Sequence, residues 1–281
     1  MGYDELRRNL SRSMKWKLAE RFAKERLDYV NSNCVLIDYH DTIYTKYIKR
    51  VLDIALSGCA LIITAPVNFS VGIITYFDVG KPLLFQQERI GKNEKVFVLK
   101  KFRNMTNEKG ARGELLPPHQ RVTKWGSFVR KTSIDELLNF WYVFKGDMSI
   151  IGPRPLGTPY MIRFNDRHRA RFYVKPGLEC PPKSIGSQMR TWDDQFENDV
   201  WYVENISFKT DFRMLLNLIR FTFDKKNASM RGSAERGDFI GYSYDGKALS
   251  QFDIPDEYLE WVEREMEKDS KEGAAKHVGK Q

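Results

Sequence analysis

The sequence has little cysteine and little histidine, and neither is spaced for chemistry. Its three cysteines, Cys34, Cys59 and Cys180, are odd in number and far apart, and no Cys-x-x-Cys pair occurs. That excludes a disulfide framework and a zinc knuckle. The four histidines, His40, His119, His168 and His277, form no His-Glu-x-x-His pattern, so a histidine metal centre is not expected. No internal repeat is visible. Long apolar runs are absent with one exception, and a mean hydropathy of −0.51 excludes a polytopic membrane protein. Charge is plentiful: 46 Lys and Arg stand against 37 Asp and Glu, a net +9, and aromatics make up 13%. So many aromatics exclude a disordered chain. The basic excess points to an anionic partner, whether nucleic acid, an anionic lipid surface or a phosphorylated substrate. With 281 residues the chain has room for one large domain, or for a medium one extended at its ends.

Four stretches differ in character: an N-terminal basic helical extension (1–45), a membrane helix (46–80), a catalytic domain (81–223) and a C-terminal extension (224–281). No apolar run long enough for a signal peptide follows the basic start, so none is expected. From Tyr3 to Tyr29, Leu6, Leu10, Met14, Leu18, Phe22 and Leu27 recur at helical spacing among Arg7, Arg8, Arg12, Lys15, Lys17 and Arg21. Such a helix either packs one face on the body or lies on an anionic membrane surface.

The second stretch holds the exception. Residues 54–77 carry no charge, and 24 residues of helix are about 36 Å long at 1.5 Å per residue, enough to cross a bilayer. The alternative is a buried core helix. Pro66 stands at the middle, where it removes a backbone hydrogen bond and kinks the helix, with Thr64 and Asn68 at hand to satisfy the freed groups. Lys46, Lys49 and Arg50 flank one end, and Lys81, Arg89 and Lys92 the other. The positive-inside tendency therefore favours a re-entrant hairpin kinked at Pro66 over a straight span.

In the third stretch, Phe85 and Val96 to Leu99 lie in β-favouring runs, with several short helices after them. Residues 208–223 place Phe212, Leu215, Leu216, Ile219 and Phe223 on one helical face among Lys209, Arg213 and Arg220, suited to core packing or to immersion in a membrane interface. Beyond 224 the composition is loop-like, until an acidic helix over about Asp256 to Lys268. The expected class is α+β: a mainly helical monotopic membrane protein with a re-entrant helix, a small β element and interfacial amphipathic helices.

Three clusters carry possible chemistry. Ser133-Ile-Asp135-Glu136 fits a capping box, with Ser133 as N-cap and Glu136 folding back. The same turn would place Asp135 where the helix dipole stabilises a carboxylate and where phosphates bind. With Arg130 before it, the Asp135–Glu136 pair offers the oxygen ligands Mg²⁺ prefers. Lys100-Lys101-Phe102-Arg103-Asn104 reads as a basic strand edge or a phosphate contact. Gly152-Pro-Arg154-Pro155 brackets an arginine between prolines, either a rigid linker or a pre-set guanidinium for phosphate.

Taken in order, these motifs resemble a known family. They are Lys49-Arg50 with Asp53, the Pro-centred apolar run, Gly80-Lys-Pro82 through Gln87-Glu-Arg89-Ile-Gly91, and Lys101-Phe-Arg-Asn-Met105. Arg121-Val-Thr, Gly126, Arg130, Ser133-Ile-Asp135-Glu136-Leu137, Gly146-Asp-Met-Ser149, Gly152-Pro-Arg-Pro155, Pro176-Gly177 and Asp199-Val-Trp-Tyr202 follow. The chain resembles the bacterial sugar transferases, the monotopic polyprenyl-phosphate phosphoglycosyl transferases, from about Lys49 to Asp211.

The resemblance implies a re-entrant helix in the bacterial inner membrane, with catalysis at its cytoplasmic face. It implies a ping-pong transfer of sugar-1-phosphate from a UDP-sugar to polyprenyl (undecaprenyl) phosphate, releasing UMP, as the first membrane step of glycoconjugate assembly. Asp135 matches the family's nucleophile and Glu136 its Mg²⁺ ligand. Lys101, Arg103, Arg130 and Arg154 match substrate-phosphate contacts, and Asp199 an active-site carboxylate. Membrane lipids are implied partners, no nucleic acid is expected, and a homodimer stays open. The sequence departs from the family's Ser-Pro at Ala65-Pro66, from Pro-Gln at Leu138-Asn139, and from the Gly-Ile-Thr-Gly segment with its glutamine at Gly177-Leu-Glu-Cys-Pro-Pro182. The rival readings are a membrane-tethered basic binding or scaffold protein, and an inactive family member. The first gives no reason for Asp135, Glu136 and Arg154 to fall in this order; the intact Asp135–Glu136 pair argues against the second, which the departure at 177–182 leaves open.

Overall fold

The computed structural model describes residues 2–110, 113–184, 189, 191–223 and 236–278, with side chains left aside at 118, 219–223 and 269–278. The architecture is mainly helical α+β with three two-stranded sheets among the described residues. Helices α1 (Tyr3–Asn9) and α2 (Arg12–Asn33) open the chain. Ser11 caps α2, its hydroxyl accepting from Met14 N at 3.1 Å. The apolar face set by Met14, Leu18, Ala19 and Phe22 is buried, so α2 packs on the body of the protein and has no apolar face left for a membrane surface.

A π turn (Tyr44–Ile48) leads into α3 (Lys49–Val79), 31 residues long. Only 11% of its most apolar window is buried, which rules out the buried-core alternative. The helix continues through Pro66. The Thr64 hydroxyl donates to Ala60 O at 2.8 Å and Asn68 Nδ2 to Thr64 Oγ1 at 3.4 Å. Both therefore brace the turn rather than reach the Ile62 carbonyl, which Pro66 cannot serve.

The two ends of α3 dock on one domain. Near its start, Asp53 accepts from Ser149 Oγ and Ile150 N at 3.0 and 2.9 Å. Lys49 pairs with Asp211 at 2.5 Å, and Asp211 also accepts from the hydroxyls of Tyr44 and Tyr202. Near its end, Trp125 donates to Thr75 Oγ1 at 3.2 Å and Thr123 to Asp78 at 2.6 Å. Between these anchors Ile62, Ile63 and Phe69 are more than 70% exposed.

The β-favouring runs at Phe85 and Val96 to Leu99 lie in strands β1 (Leu84–Ile90) and β2 (Val96–Phe102), an antiparallel pair in register from Leu84 opposite Phe102 to Ile90 opposite Val96. Short helices follow: α4 (Pro118–Arg121), α5 (Lys124–Thr132) and α6 (Asn139–Lys145). Strand β3 (Ser149–Ile151), then α7 (Asp166–Arg169) and β4 (Gly177–Glu179) come next, with β3 and β4 parallel. Helices α8 (Trp192–Glu204) and α9 (Phe208–Phe223) complete the central domain. Its core gathers Leu99, Val143, Met148, Ile151, Tyr202 and Met214. Helix α9 divides its residues: Met214 is buried and Leu215 and Leu218 pack on the core, while Phe208, Phe212 and Leu216 are exposed. Its Ile219, Arg220 and Phe223 side chains lie outside the described residues.

The chain ends converge. Strands β5 (Phe239–Tyr242) and β6 (Ala248–Ser250) and helix α10 (Asp256–Val278) occupy a stretch whose composition reads mostly as loop. Ile240, Tyr258, Leu259 and Val262 share one core with Leu6, Leu18 and Phe22 of the first two helices. Each large side chain buried there contributes about 1.5–3 kcal/mol.

Candidate active site

Asp135 and Glu136 occupy a single 3₁₀ turn (Ile134–Glu136), not the start of a longer helix. Ser133 makes no capping contact. It ends α5 in the left-handed conformation, at φ 55° and ψ 25°. The expected capping box is absent because Glu136 points to an arginine instead of back along the chain. The expected helix-dipole stabilisation of Asp135 goes with it. Asp135 is 5% exposed, and burial raises its carboxyl above the usual range, with Glu136 adding to the rise and Lys101 and Arg130 opposing it.

The cations come from separate elements. Lys101, near the end of β2, holds its ammonium 4.0 Å from Asp135 Oδ2. Arg130, in the last turn of α5, donates to Asn104 Oδ1 at 2.9 Å. Helix α5 approaches this segment closely at Gly126, where a Cβ would lie 2.0 Å from the Asn104 carbonyl oxygen. Only glycine permits that contact, which carries Arg130 to the Asn104 side chain.

Arg154 bridges two carboxylates. Its Nη2 is 2.5 Å from Glu136 Oε1 and its Nη1 is 3.1 Å from Glu179 Oε2. Desolvation works against its charge, but Glu136 and Glu179 outweigh that and hold the guanidinium above its ordinary range. The backbone explains the placement: Ile151 pairs with Glu179 in the β3–β4 ladder, and a Cβ on Gly177 would lie 2.1 Å from Gly152 N. The Gly152-Pro-Arg154-Pro155 and Pro176-Gly177 motifs are therefore two sides of one close backbone contact.

The remaining expected residues stand further back. Asp199 is fully buried, with Oδ2 2.9 Å from Arg171 Nη2, and the same Nη2 donates to Arg154 O at 2.9 Å. Burial pushes the Asp199 carboxyl up to about 6, with Arg171 opposing the shift. Asp199 is thus a support beneath Arg154, sealed from solvent. Arg103 does not join the group. Its guanidinium donates to the carbonyls of Pro82, Val79 and Met105 and is buried, which corrects its expected role as a phosphate contact.

The donor chemistry fits a hard divalent cation. Mg²⁺ characteristically takes one or two carboxylates and completes its shell with substrate phosphates and water. Glu136 supplies such a carboxylate on the partly exposed side of the turn. Among the described residues no three acidic, histidine or cysteine side chains form a closed cage.

Glu179, Arg171 and Asn104 belong to this constellation without having been singled out as site residues. The signal for Glu179 was present, because it falls in the segment that departs from Gly-Ile-Thr-Gly. Asn104 lies within the Lys101-Phe-Arg-Asn-Met105 motif, whereas Arg171 carries no motif that would separate it from ordinary polar residues.

Known proteins share the sequence over this domain. A family model described as bacterial sugar transferase matches residues 44–225. An uncharacterized sugar transferase, EpsL, of Bacillus subtilis is 38% identical over 173 residues, covering 62% of this chain and 86% of that protein. The UDP-N-acetylgalactosamine-undecaprenyl-phosphate N-acetylgalactosaminephosphotransferase of Aeromonas hydrophila is 30% identical over 69% of this chain and 48% of its own length. The UDP-glucose:undecaprenyl-phosphate glucose-1-phosphate transferase of Klebsiella pneumoniae is 29% identical over 64% of this chain and 41% of its own length. The matches to these last two span less than half of each.

Proposed function

The chain belongs to the bacterial sugar transferase family, and from that premise we propose that it transfers a sugar-1-phosphate from a UDP-sugar to polyprenyl phosphate. The observation that carries the reading is the placement of Asp135, buried beside Lys101 and adjoining the Glu136 that grips Arg154. Two relatives are named for UDP-sugar donors and undecaprenyl phosphate, with different sugars. Those names support the donor and acceptor classes and leave the sugar unassigned.

The reaction runs in two displacements at one phosphorus. A carboxylate oxygen of Asp135 attacks the β-phosphorus of the UDP-sugar, and the bond from that phosphorus to the bridging oxygen breaks. UMP leaves with the electron pair, and the sugar phosphate stays on the carboxylate as an acyl phosphate. An oxygen of polyprenyl phosphate then attacks the same phosphorus, the aspartyl bond breaks, and polyprenyl-diphosphate-sugar is released. Dividing the transfer this way replaces one difficult step by two easier ones. Lys101 and Arg130 present positive charge beside the nucleophile, and Arg154 presents a guanidinium suited to phosphate oxygens. Mg²⁺, held by Glu136, would neutralise diphosphate charge.

The topology belongs to the same reading. Helix α3 enters the cytoplasmic leaflet of the bacterial inner membrane and returns, placing the acceptor phosphate at the level of Asp135. Support comes from the two polar anchors, at Asp53 and at Thr75 with Asp78, that tie both ends of α3 to one domain.

The test is intact-protein mass after incubation with a panel of UDP-sugars and Mg²⁺, without acceptor. A phosphosugar adduct is expected with at least one donor, absent in Asp135→Asn, lost in excess EDTA and discharged by polyprenyl phosphate. No adduct with any donor, in protein shown to be folded, would favour the inactive-member reading.

A further inference from the structure

A second basic concavity opens beside the turns from which α3 starts. It encloses about 190 Å³ and shares no lining residue with the Asp135, Glu136 and Arg154 group. Its walls bring together Lys46, Lys49 and Arg50 with Lys92 from the β1–β2 connection and Lys175 from just before β4. Two carboxylates, Asp41 and Asp53, face the same space.

Those carboxylates do not balance the cations. Asp53 Oδ1 is engaged by Ser149 and Ile150, and Asp41 stands 3.5 Å from Lys92 while accepting from Tyr39. Lys49 is matched by Asp211. Arg50 donates to the carbonyls of Val143 and Phe144 at 2.7 Å, partners that carry no charge. Among the described residues the ammonium groups of Lys46 and Lys175 have no ion-pair or hydrogen-bond partner, and that of Lys46 lies 5.6 Å from the centroid of the Tyr47 ring.

Gly146 shows how closely like charges approach here. A Cβ on it would lie 3.1 Å from Arg50 Nη2 and 3.5 Å from Lys175 Nζ. Two neighbouring cations in a half-buried wall repel each other unless an anion lies between them. Consistent with that, burial and then the charges of Arg50 and Lys92 hold the Lys175 ammonium below its usual range.

The position of the cavity selects the kind of anion. Lys46, Lys49, Arg50 and Asp53 occupy the turns just before the uncharged run 54–77, and Tyr47, Ile48 and Val51 are exposed on those turns. With α3 in the membrane, these residues stand at the level of lipid phosphates, where basic side chains collect anionic lipid. We propose that this cavity binds the phosphate group of an anionic membrane lipid, at a site separate from Asp135, between Arg50, Lys92 and Lys175 with Lys46 at the rim. The inference rests on the membrane reading of α3 and not on catalysis.

The test is partition of the full chain between buffer and vesicles of phosphatidylcholine, alone or with 30 mol% phosphatidylglycerol. The wild type is expected to prefer the anionic vesicles. Lys92→Gln with Lys175→Gln should reduce that preference by about fivefold for each charge removed. Lys46→Gln, on an exposed side chain that cannot unfold the protein, should reduce it in the same direction. A charge-matched control, Lys247→Gln with Lys268→Gln, should leave it unchanged. Equal loss in the control, or no loss in the cavity variants, would overturn the site. Displacement from the anionic vesicles by millimolar inorganic phosphate would replace the lipid by a soluble ion as occupant and overturn the lipid assignment. Absence of binding to either kind of vesicle would remove the membrane premise, and the proposal with it. Binding without selectivity would remove the proposal alone.

Discussion

Glu179 Oε2 lies 3.1 Å from Arg154 Nη1, so the arginine that meets Glu136 on one side is matched by a second carboxylate on the other. In the proposed reaction an incoming diphosphate competes with both for the same guanidinium. Glu179 belongs to a β3–β4 ladder that holds it there, so the competition is built into the backbone.

Replacing Glu179 by Gln should therefore strengthen donor binding. The Arg154 side chain is 41% exposed, so solvent screening limits the pair to about 1 kcal/mol and the gain to about fivefold. Steady-state kinetics should show a lower KM for the UDP-sugar with kcat little changed. A raised KM would mean that Glu179 itself contacts the donor.

Asp135→Asn should abolish transfer, with a loss of ~10³-fold or more, as expected when a nucleophile is removed. Its raised carboxyl also predicts a pH effect. The group protonates at a higher pH than an ordinary aspartate, so the attacking carboxylate is lost earlier as the medium is acidified. The acid limb of kcat/KM should lie above the ordinary carboxylate range. A limb at or below that range would contradict the role of burial at this residue.

Asp199 has its linkage in the stability curve. Its carboxyl rises on folding from 3.8 to about 6, so the folded state binds the proton more tightly. That contribution, on the order of 3 kcal/mol, is fully present below about pH 4 and lost as the pH rises through about 6. Asp199→Asn should remove this slope from thermal unfolding measured across that window. An unchanged slope would show that another group titrates there.

The topology of α3 has its own test. In a chain with the three native cysteines replaced by alanine, single cysteines at Lys46 and Lys81 should react with an impermeant maleimide from the same face of the membrane. Labelling from opposite faces would establish a straight span.

Much of this architecture was legible because it follows from local pattern. The uncharged run from Ile54 to Phe77 specifies α3, and the β-favouring residues around Phe85 and Val96 specify the first hairpin. Asp135, Glu136 and Arg154 stood out through their motifs, and the fold brings them together. What escaped the sequence depends on distant partners. Ser133 looks like an N-cap until Glu136 is drawn to Arg154. Arg103 looks like a phosphate contact until the chain supplies three carbonyls around it. Strands β5 and β6 read as loop because the apolar residues that bury them lie on α2 and in the centre of the domain.

The core shared by the two chain ends has a consequence for biosynthesis. The hydroxyl of Tyr258 on α10 meets the Glu25 carboxylate of α2 across 233 residues of sequence. At ribosomal rates of about 5–20 residues per second, α2 waits tens of seconds for the α10 that covers it. Throughout that interval the faces of Leu18 and Phe22 lack their α10 partners, while the apolar helix α3 has already been made. A nascent chain interrupted shortly before Tyr258 would therefore carry its catalytic motifs complete and its first helices without their lid, as a substrate for chaperones or proteases.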